Sequence, residues 1–363
     1  MARFAVIMAG GTGKRLWPLS RENRPKQVLK LIDGDTLLRR CFQRITTHFD
    51  HRSIIVLTNK GYSDLVRDNL PEIPYDNVIS EPEVRDTAGA IGLAAAVLAR
   101  FDPDATMAVV TADQIIKPAN IFNQALADGM NFVENNPEAL ITFGIQPSFP
   151  DTQLGYIKLG KSQQCAKCNN EIYEVESFKE KPDLQTAKEY LSSGQYCWNS
   201  GLFVWKARRI LELLYQNIPQ TKPPLQKIQA HWGGPNQEEI LQECFVKLPK
   251  ISIDFAVMEK APQVHAIKLN CQWLDMGSFS ALADIIQSDK NGNIVVASQS
   301  ELMDCKNSIL VTEDKNHLIA AVGLKNMVVV HSPDATFVCP IEETGKLKEL
   351  LQSIRDRGGA QYL

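Results

Sequence analysis

A short apolar run followed by a glycine-rich loop near the N-terminus constrains the fold more than any other feature of this sequence. Residues 4–9 (FAVIMA) are too few for a helix and are typical of a buried parallel strand. The run ends in the loop 10–13 (GGTG), where glycines allow the backbone to approach an anion closely. Cationic side chains follow at once, and we expect them to supply the countercharge that a triphosphate needs: Lys14, Arg15, Arg21, Arg24 and Lys26. Because open α/β sheets bind ligands beyond the carboxyl ends of their strands, we predict a nucleotide-phosphate loop here.

The loop fails to match two common phosphate-binding motifs. A Walker A loop requires GxxxxGK[ST], but Lys14 is followed by Arg15. A dinucleotide fingerprint requires GxGxxG, but Leu16 occupies the position of the third glycine. The alternative is a glycine-rich turn with a solvated basic face, which the concentration of cations next to a buried strand disfavours.

The composition is that of an ordinary globular protein larger than one typical domain. The chain has 363 residues, of which 44% are hydrophobic and 22% charged. The formal charge of 39 − 42 = −3 argues against nucleic acid or an anionic membrane as a partner. No apolar run has the length of a membrane span, and Met1 leads directly into the first strand without a signal segment. We therefore expect a cytoplasmic protein.

Strand and helix patterns alternate over the first part of the chain. Strand-like runs occur at 53–58, 78–80, 107–111 and 139–144, and helical patterns at 36–45, 62–70, 88–100 and 121–133. This alternation predicts an α/β fold with a Rossmann-like mixed, mostly parallel sheet flanked by helices.

The pattern changes in the second part of the chain. Segments 156–159 and 172–178 are predicted to be antiparallel additions, and segment 221–236 is predicted to be a surface connection because of its prolines and glycines. Beyond residue 287, closely spaced short β runs favour a small β-solenoid or sheet, closed by an amphipathic helix at 342–355. We therefore predict two domains, a catalytic domain at 1–287 and a short-strand domain at 288–363.

The eight cysteines give little sign of a metal site. Only Cys165 and Cys168 form a CxxC pair, and a structural zinc site needs a second pair of similar spacing. In a cytosolic protein we expect reduced thiols.

Three acidic residues are candidates for a site, each with a structural alternative. Asp113 ends a predicted buried strand at the edge where the glycine loop should lie, and Mg²⁺ on phosphates takes one or two carboxylates. Asp275 is a second candidate, although either carboxylate could instead cap the following segment. Glu180, between Lys179 and Lys181, could accept sugar hydroxyls or could simply lie at a solvated strand end.

Taken together, the motifs resemble those of the sugar nucleotidyltransferases. The segment GGTGKRLWPLSRENRPKQ resembles their opening motif, in the form found in mannose-1-phosphate guanylyltransferases. Matching segments follow in the family's order over essentially the whole chain: EPEVRDTA, TAD, FKEKP, WNSGLF, SIDF and WLDMGS. The C-terminal short strands are similar to the family's left-handed β-helix.

The resemblance implies a Mg²⁺-dependent reaction in which mannose 1-phosphate and GTP give GDP-mannose and pyrophosphate. It implies that Arg15 and Lys26 are catalytic, with Arg15 on the triphosphate and Lys26 on the α-phosphate. Further roles carried over by motif are the nucleotide-binding residues Gly10, Gly11, Gly13, Glu81, Asp86 and Thr87, the metal ligands Asp113 and Asp275, and the sugar-phosphate-binding residues Gly155, Glu180, Lys181, Asn199 and Asp254. Because the attacking phosphate is already anionic, the reaction needs positioning and charge neutralisation rather than a general base.

Two departures from the family pattern leave alternatives open. Gln114 follows Asp113 where the family often has histidine, and Asp86 begins a segment that often reads Asn-Thr-Ala-Pro. A guanylyltransferase for another sugar 1-phosphate, such as a heptose, is one alternative, and a non-catalytic sugar-nucleotide sensor is another. The short-strand domain also offers a surface for a homodimer.

Overall fold

The computed structural model describes residues 2–11, 13–32 and 34–363. Thr12, within the predicted phosphate loop, lies outside the described residues. No helix in the described part of the chain combines the length and the apolar character that a membrane crossing requires.

The first eleven strands build the N-terminal part of the molecule. They are β1 Arg3–Met8, β2 Ile54–Asn59, β3 Val78–Glu81, β4 Thr106–Thr111, β5 Gln114–Lys117, β6 Leu140–Ile145, β7 Tyr156–Gln163, β8 Ile172–Lys179, β9 Tyr196–Lys206, β10 Val264–Leu269 and β11 Gln272–Asp275.

Nine of these strands form one mixed sheet in the order β3-β2-β1-β4-β9-β6-β10-β8-β7. Strands β3, β2, β1 and β4 are parallel neighbours, as are β6 and β10. Strand β9 lies antiparallel between β4 and β6, and β8 and β7 extend the sheet in antiparallel fashion. The predicted mixed, mostly parallel sheet is confirmed, with the carboxyl ends of its parallel strands at one edge.

Helices cover both faces of this sheet. They are α1 Leu37–Ile45, α2 Ser63–Asn69, α3 Asp86–Phe101, α4 Ala119–Asn135, α5 Leu184–Ser193, α6 Ala207–Asn217, α7 Lys222–His231 and α8 Gln237–Phe245. The alanine-rich α3 is buried among α6, α7 and α8 on one face, and α4 packs with α1 against the other. Thr36 begins α1 as its N-cap, because its hydroxyl accepts a hydrogen bond from Arg39 N at 3.0 Å.

The C-terminal part consists of short strands, all parallel to their neighbours except the last, and a final helix. Its elements are β12 Ile294–Val296, β13 Gln299–Met303, β14 Ile309–Thr312, β15 Leu318–Val322, β16 Met327–Ser332, β17 Ala335–Pro340 and α9 Leu347–Asp356. Strands β12, β14 and β16 stack in parallel register, and β13 pairs in parallel with β15 on a second side. This arrangement is β-helix-like, as predicted.

Two sequence-based expectations are wrong. Segment 221–236 is not only a connection, because α7 occupies 222–231 with Pro223 and Pro224 in its first turn, where a missing N–H has no helical partner to lose. Cys165 and Cys168 are not free thiols but form a disulfide in the connection between β7 and β8. Cys168 N donates to the Cys165 carbonyl oxygen, and this turn brings the two side chains together.

Candidate active site

The glycine-rich loop packs directly on the side chain of Lys26. Gly13 has a φ of +64°, a conformation that favours glycine. A Cβ atom at Gly13 would lie 2.5 Å from Lys26 Cβ and 2.8 Å from Lys26 Cγ, so only glycine lets the loop approach this closely. Gly11 lies over the far end of the same side chain, since its Cβ would come 3.9 Å from Lys26 Cε. The loop and Lys26 therefore form one unit.

A small two-stranded sheet brings Asp113 and Asp275 together. Strand β5 starts just after Asp113, and β11 ends at Asp275, which pairs in register with Gln114. Met276 N donates to the Asp113 carbonyl oxygen at 3.2 Å. This pairing places two carboxylates that are far apart in the chain next to each other at the carboxyl edge of the large sheet.

The Lys26 ammonium contacts both of these carboxylates. Its Nζ lies 2.5 Å from Asp113 Oδ2 and 3.8 Å from Asp275 Oδ1. Burial alone would lower the pKa of Lys26, but the two carboxylates outweigh it, and the pKa lies above its ordinary value. Burial opposes ionisation of Asp113 too, yet the ammonium holds that pKa below its usual range. Burial and then the nearby Asp113 charge raise the pKa of Asp275 to about 6.

The carboxylate pair has the chemistry to hold a divalent cation that takes its other ligands from phosphate oxygens and water. Among residues 2–11, 13–32 and 34–363, no three His, Cys, Asp or Glu side chains gather as a full protein cage. Mg²⁺ on nucleotides typically takes one or two carboxylates in addition to phosphate, so Asp113 and Asp275 supply the expected donor set.

Arg15 reaches the same place from the loop. A Cβ at Gly277 would lie 3.8 Å from Arg15 Nη1, and Arg15 Nη2 donates to Gln153 Oε1 at 3.4 Å. The connection between β6 and β7, which carries Asp151 and Gln153, thus borders the site, although the sequence analysis did not single it out. The position of this connection directly before Gly155, a predicted sugar-phosphate residue, is the only indication of its role in the sequence.

The other two arginines of the basic segment, Arg21 and Arg24, form ion pairs outside the site. Arg21 pairs with Asp334 at 2.5 Å, and Arg24 pairs with Glu313 at 2.7 Å, both in the C-terminal domain. The expectation that all cations after the glycine loop supply countercharge to a triphosphate is therefore wrong for these two. They attach the loop segment to the short-strand domain.

A second cluster collects the predicted sugar-phosphate residues. Asn199 N on β9 donates to the Gly155 carbonyl oxygen at 2.8 Å. Asn199 Nδ2 donates to Asp254 Oδ1 at 3.1 Å. A Cβ at Gly155 would lie 2.4 Å from Glu180 Oε2, so Glu180 packs against the glycine. Lys181 Nζ pairs with Glu180 Oε1. The structure brings all five predicted residues together.

Thr142 is a member of this cluster that the sequence analysis missed. Its hydroxyl donates to Asn199 Oδ1 at 2.7 Å and so fixes the orientation of the Asn199 amide, which then donates to Asp254. A threonine inside the apolar run of β6 carries no sequence signal for this role. Burial, and then the charge of Glu180, raise the pKa of Asp254 to about 7.

The predicted nucleotide segment 81–87 divides between the two ends of the site. Glu81 at the end of β3 faces the glycine loop, since a Cβ at Gly10 would lie 3.4 Å from Glu81 Oε2. It is buried, and burial raises its pKa to about 8. Thr87 instead accepts a hydrogen bond from Ile253 N at 2.8 Å, beside Asp254. The Asp86 carboxylate accepts from Thr87 N at 2.7 Å.

Gln114 connects the two clusters. Its Nε2 donates to the Ser200 carbonyl oxygen, next to Asn199, and its Oε1 accepts a hydrogen bond from Trp273 Nε1 at 3.0 Å. The residue that departs from the family pattern therefore links the strand that follows Asp113 to β9 and β11.

Comparison with known proteins shows the family of this chain. The family model for nucleotidyl transferases matches residues 4–292, from β1 past the last strand of the large sheet. The chain belongs to the nucleotidyltransferase family. In this nucleotidyltransferase, residues 300–354 match a second model, the mannoseP isomerase/GMP-like beta-helix domain.

Two relatives are similar to the nucleotidyltransferase over almost its whole length. It is 34% identical over 360 residues to the mannose-1-phosphate guanylyltransferase of Klebsiella pneumoniae, covering 98% of this chain and 75% of that protein. It is 36% identical over 361 residues to the xanthan biosynthesis protein XanB of Xanthomonas campestris pv. campestris (strain B100), covering 98% of this chain and 74% of that protein.

A solved structure is similar over the whole nucleotidyltransferase as well. The crystal structure of the mannose-1-phosphate geranyltransferase from Thermus thermophilus aligns with a TM-score of 0.87 at 30% sequence identity, covering 98% of this chain and 100% of that chain. These similarities confirm the family, the enzyme class and the α/β fold with a β-helix-like C-terminal part that the sequence motifs predict.

Proposed function

We propose that this nucleotidyltransferase transfers GMP from GTP to α-D-mannose 1-phosphate, giving GDP-mannose and pyrophosphate. The observation that carries the proposal is the meeting of Lys26, Asp113 and Asp275 at one point beside the glycine loop. These three side chains come from three distant segments and supply the charges that a nucleotidyl transfer needs. The names of the relatives give the substrates.

In this proposal the loop holds the triphosphate and the second cluster holds the acceptor. Backbone N–H groups at Gly10, Gly11 and Gly13, together with the Arg15 guanidinium, bind the phosphates of GTP. An oxygen of the mannose 1-phosphate attacks the α-phosphorus and forms a new P–O bond. The bond between the α-phosphorus and the oxygen that bridges the α- and β-phosphates breaks. Pyrophosphate leaves with the electron pair of that bond, and Lys26 neutralises charge on the α-phosphate.

No proton has to be removed from the nucleophile, because a sugar phosphate is an anion at neutral pH. The site accordingly needs orientation and charge compensation more than a base. Asp113 and Asp275 would hold Mg²⁺, which when bound supplies positive charge to the phosphates.

The second cluster has the chemistry of a polyol site. Glu180, Asn199 and Asp254 offer carboxylate and amide groups to hydroxyls, and Lys181 offers a cation to the sugar phosphate. Thr142 and Gly155 hold these groups in place through the hydrogen bonds and the close packing described above.

We assign Glu81 to recognition of the guanine base of GTP. Guanine presents two neighbouring N–H donors on its Watson–Crick edge, and the Glu81 carboxylate accepts both once guanine binding displaces the proton that burial holds on Glu81 in the free enzyme. Adenine presents an acceptor in place of one of them, so a buried carboxylate beside Gly10 favours GTP over ATP. Thr87 and Asp86 follow in the segment that we assign to the ribose.

The proposed organisation assigns catalysis to residues 1–287 and a short-strand domain to 288–363. We place the enzyme in the cytoplasm as a homodimer formed through the short-strand domain. Light scattering of the purified protein measures the mass in solution, and a monomer at micromolar concentration would contradict the dimer.

Pyrophosphate release with GTP and a panel of sugar 1-phosphates tests the function. We expect the highest kcat/KM with mannose 1-phosphate and a requirement for Mg²⁺. A higher kcat/KM with a heptose 1-phosphate would change the substrate assignment. Binding of GDP-mannose without turnover of any sugar 1-phosphate would identify a sensor instead.

A further inference from the structure

The ammonium group of Lys26 occupies the space between the two proposed metal ligands. Three oxygens surround it: Asp113 Oδ2 at 2.5 Å, Asp275 Oδ1 at 3.8 Å and the Met276 carbonyl oxygen at 3.4 Å. A cation bound to both carboxylates would have to share them with this ammonium, and the two positive charges would repel each other at close range.

We propose that Lys26 excludes the divalent cation from the nucleotide-free enzyme, and that a bound nucleotide opens the metal site by drawing the ammonium away from the carboxylates. This inference rests on the proposed function, in which Asp113 and Asp275 are the metal ligands and Lys26 contacts a phosphate. It adds an order of events, because the metal then enters with the nucleotide or after it.

The packing of the loop on Lys26 supplies the coupling. Gly13 lies against Cβ and Cγ of Lys26, and Gly11 lies near its Cε, so the backbone that would bind the triphosphate also covers the lysine stem. A phosphate on this backbone offers the ammonium an anionic partner within the reach of one flexible side chain. The carboxylates lose their counter-charge when the ammonium moves, and their affinity for a divalent cation rises.

The lysine also balances the charge of the two carboxylates. Lys26 and Asp113 are largely removed from solvent, with side-chain exposures of 13% and 23%. Asp275 is less buried, with a side-chain exposure of 41%, but two adjacent, partly buried carboxylates still repel each other, and a single ammonium between them stabilises both. The lysine thus holds the site in a charged, ordered state until substrate arrives.

The test measures the binding of Mn²⁺ alone to the full-length, nucleotide-free protein. The electron paramagnetic resonance signal of free Mn²⁺ reports how much of the metal remains unbound. Wild-type protein should bind Mn²⁺ weakly. Lys26→Met keeps the length of the stem and removes the charge, and it should bind one Mn²⁺ at least about tenfold more tightly. Lys30→Met removes the same charge from an exposed position four residues away and should match the wild type.

Thermal unfolding with and without Mn²⁺ gives a second readout that does not depend on turnover. A ligand that binds only the folded state raises the midpoint, so Mn²⁺ should raise the Tm of Lys26→Met and leave that of the wild type unchanged. Should Lys26→Met fold only in the presence of Mn²⁺, the metal would be replacing the ammonium, as proposed.

Two outcomes would overturn the inference, and they bear differently on the proposed function. Tight Mn²⁺ binding to the nucleotide-free wild type, if Asp275→Asn abolishes it, would show that Lys26 does not exclude the cation. Asp113 and Asp275 would remain the proposed metal ligands. Equal, weak binding to wild type and Lys26→Met would show that Lys26 does not exclude the cation, and the Mg²⁺-dependent rate of Asp275→Asn would then decide whether the two carboxylates are metal ligands. If Lys26→Met is unfolded under all conditions, tight binding of Mn²⁺ to the wild type alone still overturns the inference. Weak binding to the wild type that tightens with inorganic triphosphate, beyond the Mn²⁺ that triphosphate binds in the absence of protein, supports it.

Discussion

A Cβ atom on Gly13 would lie 2.5 Å from Cβ of Lys26. No side chain can therefore replace the hydrogen of Gly13 while Lys26 keeps its position between Asp113 and Asp275. The positions of the glycine loop and of Lys26, thirteen residues apart, therefore depend on each other, and in the proposed function both contact the phosphates of GTP.

Substituting Gly13 with alanine should therefore displace Lys26 and reduce turnover. Gly13→Ala combines a clash at the Lys26 stem with the strain of a positive φ, whereas Gly34→Ala, at a φ of +78° with no neighbour within 4 Å, carries only the strain. The strain costs about 1 kcal/mol, and we expect Gly13→Ala to lose at least about 1 kcal/mol more and to lower kcat/KM at least about tenfold. Equal losses in urea unfolding and in pyrophosphate release for the two variants would contradict this coupling.

Glu81 should make the stability of the protein fall as pH rises. Its folded-state pKa of about 8 lies above the ordinary value of 4.5, so the folded state holds a proton that the unfolded state releases. The stabilisation is complete below about pH 4.5 and is lost as pH rises through 8. Glu81→Gln removes this dependence. The free energy of unfolding of Glu81→Gln minus that of the wild type should therefore increase by roughly 4 kcal/mol between about pH 5 and about pH 9.

Urea titrations of both proteins across that pH range give the difference directly. Glu83→Gln, at an exposed carboxylate paired with Arg85, is the matched control and should track the wild type. A constant difference between Glu81→Gln and wild type at all pH values would show that Glu81 is ionised in the folded state.

Gln114 should couple stability to turnover. Gln114→Ala leaves the buried Ser200 carbonyl oxygen and Trp273 Nε1 without their partner, and each such loss costs about 1–3 kcal/mol. We expect a loss of about 2 kcal/mol or more in unfolding free energy and a lower kcat, because β5 and β9 carry the two halves of the site. Gln43→Ala on the exposed face of α1 should change neither. A stable Gln114→Ala enzyme with normal kcat would show that the link is dispensable.

The contacts of Glu313 predict that the C-terminal domain supports the phosphate loop. Glu313 accepts a hydrogen bond from Lys30 N at 2.6 Å and pairs with Arg24, so Glu313→Ala should destabilise the protein by about 2 kcal/mol and raise the KM for GTP. Glu301→Ala removes an exposed carboxylate from β13 and serves as the control. An unchanged KM for GTP in a destabilised Glu313→Ala protein would show that the contacts of Glu313 contribute to stability and not to GTP binding.

The parts of the site that could be predicted from the sequence are those where a local motif implies a chemical task. The basic glycine loop after an apolar strand, and Asp113 at a strand end, were local signals. The family resemblance added the roles of Lys26 and Asp275, and the structure brings the three side chains together. Parallel strands have their carboxyl ends at one edge, so residues that follow different strands converge even when they are far apart in the chain.

The rest depended on contacts without a local signature. Arg21 and Arg24 resemble phosphate ligands in the sequence, but their partners Asp334 and Glu313 lie near the other end of the chain, in the C-terminal domain. The roles of Thr142 and Gln114 come from which strand lies next to which, and the strand order of a mixed sheet does not follow from periodicity. Helix α7 does not follow from its sequence because Pro223 and Pro224 favour a loop by composition, although the first turn of a helix accepts proline.

The most direct test of the proposed catalytic site is the initial rate of pyrophosphate release from GTP and mannose 1-phosphate with Mg²⁺, for wild type and Asp275→Asn. The substitution keeps the size of the side chain and removes the charge. We predict rapid, stoichiometric formation of GDP-mannose by the wild type and a loss of at least about a hundredfold in the variant, with circular dichroism unchanged. A folded Asp275→Asn enzyme with the wild-type rate would contradict the assignment.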